Sequence, residues 1–102
     1  MADANYDFGD ETVVVTGGAS GIGREMALRF GAAGATVLVA DVDETPRGGD
    51  APPTHEIIQD DGGTASFVAT DVSESAQVAS VVEAARAYGG VDVMVNNAGI
   101  VE

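Results

Sequence analysis

The sequence predicts an α/β domain built on a parallel sheet, and three observations carry that prediction. Apolar, β-branched runs alternate with helix-length segments in the order β-α-β-α-β-α-β. The first run ends in a glycine-rich turn, Thr16-Gly17-Gly18-Ala19-Ser20-Gly21-Ile22-Gly23, which opens directly into a helical pattern. Each later run is followed by a short polar or glycine-containing segment, at Asp41, Asp71 and Asn96-Asn97-Ala98-Gly99. Right-handed crossovers give the strand order 3-2-1-4. All four segments then converge outside the carboxyl ends of the strands, where the order reverses between the first strand and the fourth.

Met1 to Glu11 is acidic, with Phe8 expected as an apolar plug under the sheet and Gly9-Asp10 as a turn. The continuous run Thr12–Val15 suits a strand buried on both faces. Gly17 and Gly21 can take positive φ and lack a Cβ, so the chain can turn tightly and a ligand can approach it. Ile22, Met26 and Phe30 then recur at four-residue spacing, with Ala27 and Ala33 on the same face and Arg24, Glu25 and Arg29 opposite. Gly34 falls where a left-handed residue ends a helix. Thr36–Ala40 is the second strand, ending at Asp41.

Asp43 to Pro53 is rich in glycine, proline and acid, and reads as a loop leading to a short helix near Thr54–Asp60, stopped by Asp61-Gly62-Gly63. Ala65–Ala69 is the third strand. Ser73 is a good N-cap and Glu74 complements the dipole of the next helix. There Val78, Val81, Val82 and Ala85 fall at i, i+3, i+4 and i+7. Gly89-Gly90 ends this helix, and Val91–Val95 is the last strand.

Composition excludes several functions. The net charge is −13, from seventeen carboxylates against four basic residues, all arginine. Such a chain repels nucleic acid and anionic membrane, so neither is expected as a partner. Self-repulsion of this size is screened as the Debye length shrinks from ~10 Å at 0.1 M salt to ~3 Å at 1 M. A high-salt cytoplasm is the expected setting. No cysteine is present and His55 is the only histidine, so no metal site is expected. No stretch approaches the ~20 apolar residues that span a bilayer.

The glycine turn carries chemistry. The first N–H groups of the helix after it have no intrahelical partner, and the helix dipole adds partial positive charge, so a pyrophosphate fits there. The spacing is neither Gly-x-Gly-x-x-Gly nor a P-loop, because Arg24-Glu25 stands where Lys-Ser/Thr would hold phosphate and magnesium. Asp41 lies eighteen residues after Gly23, at the end of the second strand. A carboxylate there can accept hydrogen bonds from both hydroxyls of an adenosine ribose and repels a 2′-phosphate. No basic residue adjoins it, and Ser20, just before Gly21, is neither Arg nor Lys. NAD is therefore expected over NADP, with Arg47, in the loop that follows, as the cation able to fold back.

Taken in order, Thr16–Gly23, Asp41, Asp71-Val72 and Asn96-Asn97-Ala98-Gly99 resemble the N-terminal part of the short-chain dehydrogenases/reductases, over nearly the whole chain from about Phe8 to Val101. The resemblance implies a Rossmann-like doubly wound sheet, of which residues 1–102 are the first half, a single incomplete dinucleotide-binding domain. It implies that Gly17, Ser20, Gly21, Ile22 and Gly23 hold the pyrophosphate. Asp71 and Val72 would meet the adenine, and Asn97, Ala98 and Gly99 would line the ribose and nicotinamide side. Asn96 would knit the sheet.

The family's catalytic Ser and Tyr-x-x-x-Lys lie beyond the point matching Glu102. No lysine occurs here, Tyr6 and Tyr88 belong to the N-terminal arm and the third long helix, and no catalytic residue is named. The complete enzyme is expected to be a cytoplasmic homo-oligomer that moves hydride between nicotinamide and an alcohol or ketone, such as a sugar, a 3-oxoacyl thioester or a small secondary alcohol. The chain alone is expected to be inactive, with the fourth strand a sticky edge. A non-catalytic nucleotide-binding or partner-binding module is the alternative. A methyltransferase half-domain would share the acid after the second strand but not Asn-Asn-Ala-Gly.

Overall fold

A computed structural model describes residues 11–19, 21–42, 52–71 and 75–96. The elements run β1 (Thr12–Thr16), α1 (Gly21–Ala32), β2 (Thr36–Asp41), α2 (Thr54–Asp60), β3 (Thr64–Ala69), α3 (Ser75–Ala85), a 3-10 turn at Arg86–Tyr88, and β4 (Val93–Asn96). The four strands form one parallel sheet in the order β3-β2-β1-β4. Val13 of β1 pairs with Val37 on one side and Val93 on the other, and Val37 pairs in turn with Ala65. The expected strand order 3-2-1-4 is the one observed.

β1 and β2 are interior strands and are buried on both faces, which is why they read as unbroken apolar runs. Their alternation still sorts the side chains. Val13, Val15, Val37 and Val39 meet Ala27, Ala35, Ile58 and Ala65 on the face covered by α1 and α2. Val14, Leu38 and Ala40 meet Val81 and Ala85 of α3 on the other. α1 and α2 approach closely because Gly31 carries no side chain, and the turn after α2 folds back on Ile58 because Gly63 carries none. A Cβ at Gly31 would lie 2.9 Å from Ile58, and one at Gly63 only 2.8 Å away.

One face and several boundaries differ from the sequence expectation. Ile22 is 71% exposed, so it does not share the buried stripe of α1, which is Gly23 and Ala27 with Leu28 and Phe30 partly covered. The first turn of α1 stands at the carboxyl end of β1, where Ile22 borders the crevice rather than the sheet. β3 begins one residue early, at Thr64. β4 begins at Val93 instead of Val91, because Asp92 does the pairing before it: its N–H donates to the Thr12 carbonyl (2.9 Å) and its Oδ2 accepts the Thr12 N–H (2.8 Å). The third helix tightens into the 3-10 turn before Gly89, whose φ is 99°. Tyr88 therefore sits in that turn, and its carbonyl accepts from the Thr12 hydroxyl at 3.2 Å. Phe8, Ser73 and Glu74 lie outside the described residues.

Candidate functional site

The crevice is built from the carboxyl ends of β1 and β2. Gly17 has φ 69° and Gly21 φ 61°, so both take the left-handed backbone that the turn requires. Gly17 donates its N–H to the Ala40 carbonyl at 2.7 Å, which pulls the loop back over β2. Gly18 is buried. A Cβ there would lie 3.0 Å from the Val15 carbonyl oxygen and 3.1 Å from Val39 Cγ1, so only glycine fits without displacement.

Asp41, at the end of β2, is only 8% exposed. Its Oδ2 accepts the Ala19 N–H at 3.0 Å and its Oδ1 accepts the Val42 N–H at 2.7 Å. Its carbonyl accepts the Thr70 N–H at 2.8 Å, which ties the end of β2 to the end of β3. The acid therefore does structural work on the loop as well as facing the crevice. The amides of Gly17 and Ala19 are occupied inside the protein. The N–H groups of the first turn of α1 have no carbonyl four residues back within the helix and can meet an anion.

A second layer holds the loop from α2. Thr54, fully buried, donates its hydroxyl to the Gly18 carbonyl at 2.9 Å. Arg24 Nη1 donates to Thr54 Oγ1 at 3.1 Å and to the Pro52 carbonyl at 2.9 Å. Sequence reasoning missed both residues, reading Thr54 as the start of a short helix and Arg24 as part of a solvated face. The partners of Thr54, Arg24 of α1 and Gly18 of the loop, lie 30 and 36 positions away, so no local pattern marks them.

Asp71 is exposed, and its N–H donates to Gln77 Oε1 at 2.7 Å. Ile22 is exposed beside the crevice and Gly23 is buried. Ser20, Arg47, Val72, Asn97, Ala98 and Gly99 lie outside the described residues, as does the side chain of Asn96. His55 stacks on Phe67 at 5.9 Å between ring centroids, and its Nδ1 is buried without a hydrogen-bond partner. Among the described residues there is no group of three or more His, Asp or Glu placed to hold a metal ion, and no helix is long and apolar enough to cross a membrane. A groove of about 330 Å³ between the carboxyl ends of α1 and α2, lined by Leu28, Gly31, Ile57, Ile58 and Gly63, lies at the opposite end of the sheet.

A parallel 3-2-1-4 sheet with a glycine turn after β1 and an acid after β2 defines a doubly wound α/β protein of the nucleotide-binding kind. The family model described as short chain dehydrogenase matches residues 11–102, and the chain belongs to that family. It is 45% identical over 95 residues to 3beta-hydroxysteroid dehydrogenase 1 of Eggerthella lenta, covering 92% of this chain and 35% of that protein. It is 44% identical over 94 residues to the probable oxidoreductase EphD of Mycobacterium tuberculosis, covering 91% of this chain and 15% of the other.

Among solved structures, a hydroxysteroid dehydrogenase from Escherichia coli superposes with a TM-score of 0.80 at 33% identity, covering 94% of this chain and 40% of that one. A short chain dehydrogenase from Mycobacterium avium gives 0.76 at 37% identity, covering 91% and 34%. The chain thus spans well under half the length of each of these relatives.

Proposed function

We propose that residues 1–102 form the cofactor-binding half of an NAD-dependent short-chain oxidoreductase, an incomplete dinucleotide-binding domain that is inactive alone. The observation that carries the reading is the Asp41 carboxylate, pinned by two backbone amides beside the glycine turn. Each of its oxygens accepts one N–H and keeps lone-pair capacity for a second donor. Both can therefore accept from the hydroxyls of an adenosine ribose while still holding the loop.

The same pinning prevents the carboxylate from swinging aside. A 2′-phosphate would meet a fixed like charge, at about 4 kcal/mol per unit charge at 4 Å and an effective dielectric near 20, before relaxation. Gly21, Ile22 and Gly23 present main-chain N–H groups to the diphosphate, with Gly17 shaping the turn. Ser20, Asp71, Val72, Asn97, Ala98 and Gly99 complete the proposed contacts. When bound, the nicotinamide supplies the hydride acceptor or donor for an alcohol/ketone pair.

The hydroxysteroid dehydrogenases among its relatives support a secondary alcohol or its ketone as substrate class. This chain's residues bind and orient; among the described residues none is assigned as the acid–base group for the hydroxyl. Tyr88 sits near Thr12, at the amino end of β1, with its hydroxyl bonded to Ser66 at 3.2 Å, away from the crevice. The complete enzyme is read as a cytoplasmic homo-oligomer.

Titration with NAD and NADP in molar KCl tests this. NAD is expected to bind at least about tenfold more tightly, and Asp41→Asn is expected to lose most of that preference, as removal of one fixed charge predicts. A complete enzyme that takes up neither dinucleotide overturns the reading. The acidic, lysine-free composition supports adaptation to high salt, because screening relieves self-repulsion. The melting temperature is accordingly expected to rise from dilute buffer to molar KCl, and a flat response rejects that adaptation.

A further inference from the structure

The peptide unit between Gly18 and Ala19 is held at both ends. Its carbonyl accepts from Thr54 Oγ1 at 2.9 Å, and its N–H donates to Asp41 Oδ2 at 3.0 Å. Thr54 comes from α2 and Asp41 from β2, so the two holds are independent pieces of the fold meeting on one peptide plane. The Thr54 hydroxyl proton is committed to Gly18 because Arg24 donates to the same oxygen at 3.1 Å. Arg24 is in turn fixed by the Pro52 carbonyl at 2.9 Å. The space around the peptide is closed as well, since Gly18 lies against Val15 and Val39.

We propose that Thr54 is a positioning residue for the cofactor loop: with Asp41 it locks the Gly18–Ala19 peptide, so that the first-turn amides of α1 are set before a dinucleotide arrives. This rests on the cofactor reading above for its consequence in binding, but the lock itself is a property of the ligand-free chain. Without the Thr54 hydroxyl, the Gly18 carbonyl is a buried acceptor lacking that partner, and rotating the peptide to find another breaks the Ala19–Asp41 bond. The loop must then be ordered at the moment of binding, which weakens the ligand that uses its amides. Adenosine, which carries no phosphate, uses Asp41 and not the α1 amides and is affected less.

The test compares Thr54→Val, close in shape but without the hydroxyl, with Thr54→Ser, which keeps it. In the ligand-free chain in molar KCl, Thr54→Val is expected to speed hydrogen exchange of the Ala19 amide about tenfold while the β1–β2 ladder amides stay protected, and Thr54→Ser is expected to restore the slow rate. NAD affinity should fall about threefold to tenfold in Thr54→Val, with the affinity for adenosine changed by less than about twofold.

Unchanged Ala19 exchange in a folded Thr54→Val overturns the lock, and an equal loss for both ligands reduces Thr54 to a stability role. Should Thr54→Val lose its ladder protection, Arg24→Met removes the donor that orients the hydroxyl without touching the core. It is expected to speed Ala19 exchange to a smaller degree, and no change there overturns the proposal. If the wild-type chain takes up no NAD while the exchange results hold, the cofactor reading fails and the lock stands.

Discussion

The sheet face under α1 and α2 and the face under α3 are made from the same strands, yet they are finished differently. Under α1 and α2, eight buried residues from both helices and three strands join in one cluster, with Leu28, Phe30, Phe67, Val93 and Val95 packed at its margin. Under α3, five buried residues gather around Leu38 and Val81, and two residues of that layer stay open: Val82 and Met94, each 40% exposed. Met94 pairs with Val14 across β1 and β4, so it shares α3's side of the sheet, but α3 packs over β1 and β2 and leaves it uncovered.

Alternation along a strand makes both of its faces apolar. Whether each face is covered depends on how many crossovers pass over it. Two pass on one side here and one on the other, so the face under α1 and α2 is closed while the face under α3 leaves Val82 and Met94 partly open.

The largest effects come from cutting into the two cores. Ile58→Ala and Leu38→Ala should each cost about 2 to 5 kcal/mol, measured by denaturant unfolding in molar KCl. Ile58 should be the more expensive. Its neighbours Gly31 and Gly63 have no side chains to settle into the space, whereas α3 can shift toward a void at Leu38. Equal costs, or the reverse order, would break the comparison between a closed face and an open one. The smallest effect sharpens it: Met94→Gln should leave unfolding within about 0.5 kcal/mol of wild type while lowering self-association in sedimentation. A Met94 variant that unfolds readily would mean that this edge belongs to the core already.

Much of this architecture is legible in the sequence because its signals are local. The strand runs, the helix at Thr54–Asp60, the positive φ of Gly17, Gly21 and Gly34, and the strand order all follow from short patterns and the handedness of crossovers. Ile22 shows where periodicity stops. Spacing says which residues share a stripe, and it does not say which turn of the helix overlies the sheet. Asp92 shows another limit, since a carboxylate standing in for a ladder carbonyl looks like any exposed acid. At the site, Asp41 can be picked out by its place at a strand end. Its grip on Ala19 and the buried Thr54–Gly18 bond depend on chain segments that only folding brings together.

The reciprocal bonds between Thr12 and Asp92 have a consequence for biosynthesis. β1 sits in the interior of the sheet, but its partner on the β4 side lies 80 positions further along the chain. At roughly 5 to 20 residues per second, a ribosome needs about 4 to 16 s to deliver that partner. Through that interval the most hydrophobic strand keeps one flank naked, open to pairing with a neighbouring nascent chain.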